Sequence, residues 1–177
     1  MPAPTRFLLI VLGVAACAGR SPGELAPRDI ATVFFISKSD DHNRVDYGMR
    51  LDQDCVPLPG AVFPYWHEFE PKERTHALGA FEQRAYGIDM QRLVSRRQDG
   101  AEYVIKLKQL DRPITISTFK ERDGRCVAVA HTKIDNVGTA EFSEAFAQLG
   151  GFLSVDYVEV RGRDPHTGAR VAERIKP

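Results

Sequence analysis

Arg44 to Asp52 reads RVDYGMRLD, and its alternation decides the fold. Val45, Tyr47, Met49 and Leu51 fall on one side of a period of two; Arg44, Asp46, Arg50 and Asp52 fall on the other. A helix would scatter the apolar four around its circumference, whereas a strand collects them on one face. Upstream, Ala31 to Ser37 (ATVFFIS) is β-branched and aromatic, the composition of a central strand. Between the two lie Ser39, Asp40, Asp41, His42 and Asn43. They look like metal ligands. However, the oxygen ligands are adjacent instead of alternate, the glycine of an EF-hand loop is missing, and the histidine has no partner in range. Ser, Asp and Asn side chains bond to their own backbone in turns, so this run is expected to reverse the chain, and no metal is expected.

Working outward, the same period recurs around two Asp-Gly pairs. Asp99-Gly100 joins Met90–Arg97 to Glu102–Leu110, and Asp123-Gly124 joins Ile114–Lys120 to Arg125–Ile134. Both residues tolerate the positive φ that tight hairpins need. A third hairpin pairs Val155–Arg161 with Ala169–Ile175. Thr75 to Tyr86 (THALGAFEQRAY) breaks the pattern. It places Leu78, Phe81 and Ala85 at helical spacing, with Thr75 as cap and Gly87 as stop. Ala140 to Gln148 fits a short helix or a strand. The expectation is a mainly β fold: a single antiparallel β-sandwich or curled barrel of about seven to eight strands with one or two short helices.

The first residues have another purpose. Arg6 precedes the apolar run Phe7 to Val14, FLLIVLGV, which is too short to span a bilayer; small residues follow. Residues 1–16 read as an export signal. Val14-Ala15-Ala16-Cys17 resembles the bacterial lipobox, in which the cut precedes a cysteine that carries diacylglycerol. Ala16-Cys17-Ala18 also suits ordinary cleavage; lipidation of Cys17 is the reading taken. Ala18 after the cysteine resembles outer-membrane sorting. Residues 17–29, with Gly, Ser and Pro and no apolar period, form a flexible tether, and residues 30–177 a single domain. The partner this implies is a membrane, reached through the lipid at Cys17. Lys plus Arg equals Asp plus Glu at 24 each, and loss of Arg6 with the signal leaves a net charge of −1. That balance gives no electrostatic case for a nucleic-acid partner. Cys55 and Cys126 remain as an even pair in an oxidising compartment: a disulfide, or two separate buried thiols.

No nucleophile or cofactor motif accompanies this frame. There is no GxSxG, no Gly-rich phosphate loop and no Cys-x-x-Cys. Pro64 to Pro71, PYWHEFEP, holds the only Trp; His67-Glu68 begins like a zinc-protease helix, but position 71 is Pro. The segment reads as a strand or as a pocket in which Trp66 stacks on a sugar or an apolar ligand. Arg84, with Glu82 or Tyr86, is a candidate for a polar cleft.

Four segments together carry a resemblance: FFISKSDDHNRVDYGMRL, PYWHEF, FEQRAYGI and DYVEVRGRDPHTGARVAERI. In order and spacing they are similar to a bacterial family of unknown function, family 4833, over residues 32–176. The resemblance implies an exported, mainly β domain and brings no activity. The positions matching its motifs are Asn43, Tyr47, Trp66, Arg84, Tyr86 and Gly87. The functional expectation is a non-enzymatic envelope lipoprotein that binds a protein, lipid or glycan partner, with no cofactor. The alternatives are a hydrolase or transferase acting on envelope lipid or glycan through His67, Glu68, Glu70 or Arg84, and a lipocalin-like carrier.

Overall fold

The computed structural model describes residues 31–135, 137–150 and 154–176. The signal, Cys17 and the tether lie outside them. The strands are β1 (Ala31–Lys38), β2 (Asp41–Leu51), β3 (Pro57–Glu68), β4 (Arg74–Ala77), β5 (Ile88–Arg97), β6 (Gly100–Leu107), β7 (Pro113–Lys120), β8 (Cys126–Ile134), β9 (Gly138–Leu149), β10 (Val155–Arg163) and β11 (Arg170–Ile175). Among the described residues one helix, α1 (Glu82–Tyr86), lies between β4 and β5.

The alternation in β2 does what period two requires. Val45, Tyr47 and Met49 are buried in the core, and Leu51 packs at its margin. The chain reverses at Ser39-Asp40, so Asp41, His42 and Asn43 already belong to β2. The Asp41 carboxylate accepts the Asn43 amide at 2.9 Å, the local bond expected of a turn aspartate. Both Asp-Gly hairpins form. Gly124 sits at φ +85, and a side chain at Gly100 would lie 1.9 Å from the Thr118 carbonyl.

The protein is mainly β, but the rest of the expected architecture needs correction. Among the described residues eleven strands replace seven or eight, and the sheet is mixed because β1 runs parallel to β9. A parallel pair needs no hairpin, so no turn dipeptide announces it. The sheet is also open: its path runs β4-β3-β2-β1-β9-β8-β7-β6-β5, and β4 and β5 remain edges, so no barrel closes. Thr75 does not cap a long helix. Thr75 and His76 pair with His67 and Trp66 in the sheet, and only five residues stay helical. Sheet pairing satisfies those backbone groups, whereas a short helix starts from a costly nucleus. Ala140–Gln148 belongs to β9.

Strand β9 joins two wings. On one edge it pairs with β10 from Glu141 to Leu149. The opposite edge is shared: β8 pairs with Gly138 to Glu141, and β1 with Glu144 to Ala147. The wings β4-β3-β2-β1 and β8-β7-β6-β5 therefore diverge from one edge. They bury a common core of Phe34, Val45, Tyr47 and Met49 with Tyr103, Ile105, Ile114 and Ile116. Phe34 stacks on Tyr47 at 4.4 Å and meets Phe142 of β9 at 4.9 Å.

Two links fasten the wings. Cys55, in the β2–β3 turn, is bridged to Cys126 at the start of β8, with the Cα atoms 5.3 Å apart. Beside it, the buried Thr118 hydroxyl donates to the Cys55 carbonyl at 2.7 Å and accepts from the Ala101 amide at 2.9 Å. The terminal hairpin is pinned separately. Arg112 makes two bonds to the Glu173 carboxylate, at 2.8 and 3.0 Å, and the Asp135 amide adds a third at 2.9 Å.

Cross-linking across 71 residues removes unfolded-state entropy worth about 4 kcal/mol. Reduction, or Cys55→Ser with Cys126→Ser, should lower stability by up to that amount in urea denaturation. The Arg112 bonds hold the Glu173 carboxyl below the usual carboxylate range. A carboxyl depressed in the folded state contributes stability above its unfolded pKa, about 4.3, and loses it as pH falls through the folded value. The stability gap between wild type and Glu173→Gln should therefore be full near neutral pH and should shrink on acidification below the ordinary glutamate range.

Candidate functional site

Four of the motif positions come together around α1. The buried Tyr47 phenol donates to the Tyr86 carbonyl at 2.6 Å, and burial, with the Tyr86 phenol nearby, pushes its pKa well up. Trp66 is half-buried against the core, stacked on Tyr86 at 6.1 Å with the Lys38 ammonium 5.5 Å from its ring. Gly87 ends the helix because of space and not of φ. Its φ is −68, and a side chain there would lie 2.2 Å from the Gln83 carbonyl. Asn43 stands apart, its side-chain carbonyl accepting the Phe69 amide at 2.9 Å. Arg84 is exposed in the last turn of α1. Neither Trp66 nor Arg84 lines the cleft at the fork; the roles of Tyr47, Trp66, Tyr86 and Gly87 seen here are packing and helix termination.

The cavity lies elsewhere, at the fork. Where β1 and β8 part on the edge of β9, a cleft of about 380 Å³ opens. Its apolar walls include Val33, Phe35 and Val129, and its polar lining includes Thr32, Arg44, Glu141, Ser143 and Arg163. Two bulges shape it. The β1–β2 register slips between Thr32 and Phe34, at Val33, and the β10–β9 register slips between Arg161 and Gly162, opposite Ser143. Each bulge adds a residue and re-aims the strand. Among the described residues, neither Arg163 nor Glu141 has a side-chain partner.

Arg44 is held from behind. Asp46, 1% exposed, lies under it on the outer face of β2. Arg44 Nε is 2.7 Å from Asp46 Oδ1, close enough for an ion pair but off-angle for a hydrogen bond, so charge attraction carries the contact. A second nitrogen of Arg44 reaches Asp46 Oδ2 at 3.3 Å. His67 Nδ1 meets the same oxygen at 2.9 Å, and His67 Nε2 meets Glu73 at 2.9 Å. The guanidinium lies 4.4 Å from the Phe35 ring and 5.3 Å from Phe69, within cation–π range. Next to it the Tyr65 hydroxyl bonds Thr32 at 2.9 Å. Desolvation is the main cause that pushes the Tyr65 phenol up.

Chemically, this arrangement positions a cation; it does not activate a nucleophile. Both His67 nitrogens already meet carboxylates, and among the described residues no hydroxyl or thiol is bonded to His67. Glu68 pairs with Arg74 and His76 at the β4 edge, away from the cleft. The Arg74 bond, with that of His76, holds the Glu68 carboxyl low.

The sequence singles out Trp66 and Arg84, and the fork is not among its candidates. The alternation sets Arg44 and Asp46 on the face opposite the apolar residues, and it does not distinguish an exposed acid from a buried one. In the folded chain the buried residues of β9 run Ala140, Phe142, Ala145, and the odd step marks the bulge.

The molecule is a mainly β domain whose open mixed sheet forks around a cleft lined by arginine and glutamate. The chain belongs to the family described as a domain of unknown function (DUF4833), whose family model matches residues 34–174. No curated protein and no solved structure matches it.

Removing Asp46 would leave Arg44 partly buried and unpaired. Asp46→Ala should cost about 3 kcal/mol in urea denaturation. Glu73→Ala, at a side chain 71% exposed, should cost less than about 1 kcal/mol.

Proposed function

We propose that the protein is a non-enzymatic binding module of the cell envelope, held to the membrane by a lipid on Cys17, that takes a ligand with an acidic group into the fork cleft. The carrying observation is the cleft: concave, apolar-walled, within the size range of ligand sites, and lined by charged groups of which Arg163 and Glu141 have no side-chain partner among the described residues. Arg44, clamped by Asp46 and stacked on Phe35, is preorganised to meet an anion. The envelope location rests on the apolar run at Phe7–Val14 and the lipobox-like Val14-Ala15-Ala16-Cys17, and the outer-membrane destination on Ala18.

Among the described residues the Asp46–His67 pair favours a hydrolase, but the second carboxylate partner of His67, Glu73, occupies the nitrogen a nucleophile would need. A lipocalin-like carrier draws no support from an open sheet.

Two measurements test the proposal. Radioactive palmitate should label the expressed protein, and Cys17→Ala should abolish the label. Titration with short carboxylic acids and zwitterionic dipeptides should shift the amide NMR signals of Thr32–Phe35, Ala128–Ala130 and Glu141–Ser143. Ser143→Trp, which fills the cleft from an exposed position, should remove those shifts. Shifts confined to other surfaces, or none, would overturn the cleft as the site.

A further inference from the structure

We propose, resting on the cleft reading, that the ligand is an extended peptide segment of a partner protein, which adds as a strand to the free edge of β8. The ladders define that edge. Strand β8 pairs with β9 only over His131–Ile134, while Cys126–Ala130 pairs with β7 alone. On the facing wall, β1 pairs with β9 only from Phe35 onward, leaving Thr32–Phe34 bonded to β2 alone. Phe142 and Ser143, at the cleft floor, have no ladder partner on that side among the described residues. Alternate amides and carbonyls of both walls therefore face the cleft, and such groups need partners.

Charge distinguishes this edge from the others. Strand β4 is four residues long and carries Arg74 and His76; β5 carries Arg92, Arg96 and Arg97. Short length and charge are how proteins blunt an edge against unwanted pairing. Cys126 to Ala130, CVAVA, has no charge and no Pro. It is protected instead by position, on the wall of the fork cleft. An unpaired, uncharged edge is what strand addition uses, in which main-chain bonds supply affinity and side-chain contacts supply selectivity.

Arg163 and Arg44 supply the selectivity. Both line the cleft, and Arg163 is exposed and without a side-chain partner among the described residues. An acidic side chain on the incoming strand near the cleft floor would meet them. A basic one would face both arginines, with Glu141 and the Asp46 carboxylate under Arg44 in compensation.

The probe is a capped pentapeptide of alternating threonine and valine ending in glutamate. Its companions are the same peptide N-methylated at alternate residues and the same peptide ending in lysine. The glutamate peptide should bind with a Kd below about 1 mM and slow amide hydrogen exchange at alternate positions of Cys126–Ala130 by about tenfold or more. N-methylation should weaken binding by about tenfold, since it removes main-chain donors without changing the side chains. Arg163→Glu should weaken the glutamate peptide by about tenfold and strengthen the lysine peptide. Equal binding of the methylated peptide, or no slowing along β8, would overturn strand addition. If small carboxylic acids still shift the cleft amides in that case, the cleft reading survives; if they do not, both fall.

Discussion

Strand β9 can bond β8 and β1 along one edge because it carries one extra residue at Ser143. Up to Phe142 the even positions Ala140 and Phe142 face the core; beyond it Ala145 does. Without the bulge, regular alternation would turn Glu144 inward and Ala145 outward. A buried carboxylate without a partner costs several kcal/mol, so that register is not available. With the bulge, Glu144 faces out and is met by the Ser37 hydroxyl and by Arg161 at 3.0 Å. Arg161 also covers Phe146 at 4.6 Å. The same extra residue bends the strand where one partner leaves and the other arrives, so the fork and the cleft share one cause.

A forked sheet needs something to keep its wings over one core. Hydrophobic burial alone is non-directional and fixes no angle between them. The Cys55–Cys126 bridge and the Thr118 hydroxyl supply direction. Both join the β2–β3 turn to the β6-β7-β8 wing, and Thr118 bonds Cys55 itself. The missing side chain of Gly100 belongs to the same device, since it lets β6 approach the Thr118 carbonyl. At the other end of the wing, the Arg112–Glu173 pair ties β11 to the β6–β7 turn, and the Asp135 amide ties the same carboxylate to the turn after β8.

Much of this fold was legible along the chain. The alternation of Val45, Tyr47 and Met49, the two Asp-Gly turns and the terminal hairpin are local signals, and each stands where period and turn chemistry put it. What was not legible is long-range. Nothing near Phe35 says that it will lie beside Glu144, because a parallel pairing leaves no turn between its strands. Thr75 was misread for a related reason: its helical spacing is local, while the bonds that override it come from His67. The cleft was invisible because it is made of gaps in two ladders. Its floor residues Glu141 and Arg163 are 22 positions apart in sequence and become neighbours only through the β9–β10 register.

The cluster behind the cleft is hard to account for by stability. A buried ion pair is seldom better than apolar residues of the same shape, because desolvation cancels most of the attraction. Asp46 is buried with Arg44 and His67 against it, and a branched aliphatic residue would fill the same space on β2 at less cost. The cluster does accomplish one thing that packing would not. It fixes the Arg44 guanidinium between Asp46 and the Phe35 ring, on the cleft wall opposite β8, so that little conformational freedom is left to lose when an anion arrives. Glu73 and Asp46 hold the His67 ring from both sides, and the ring in turn fixes the carboxylate that holds Arg44. A chain of four charged or polar side chains ending at a cleft wall is a costly way to stabilise a sheet and an effective way to aim one cation.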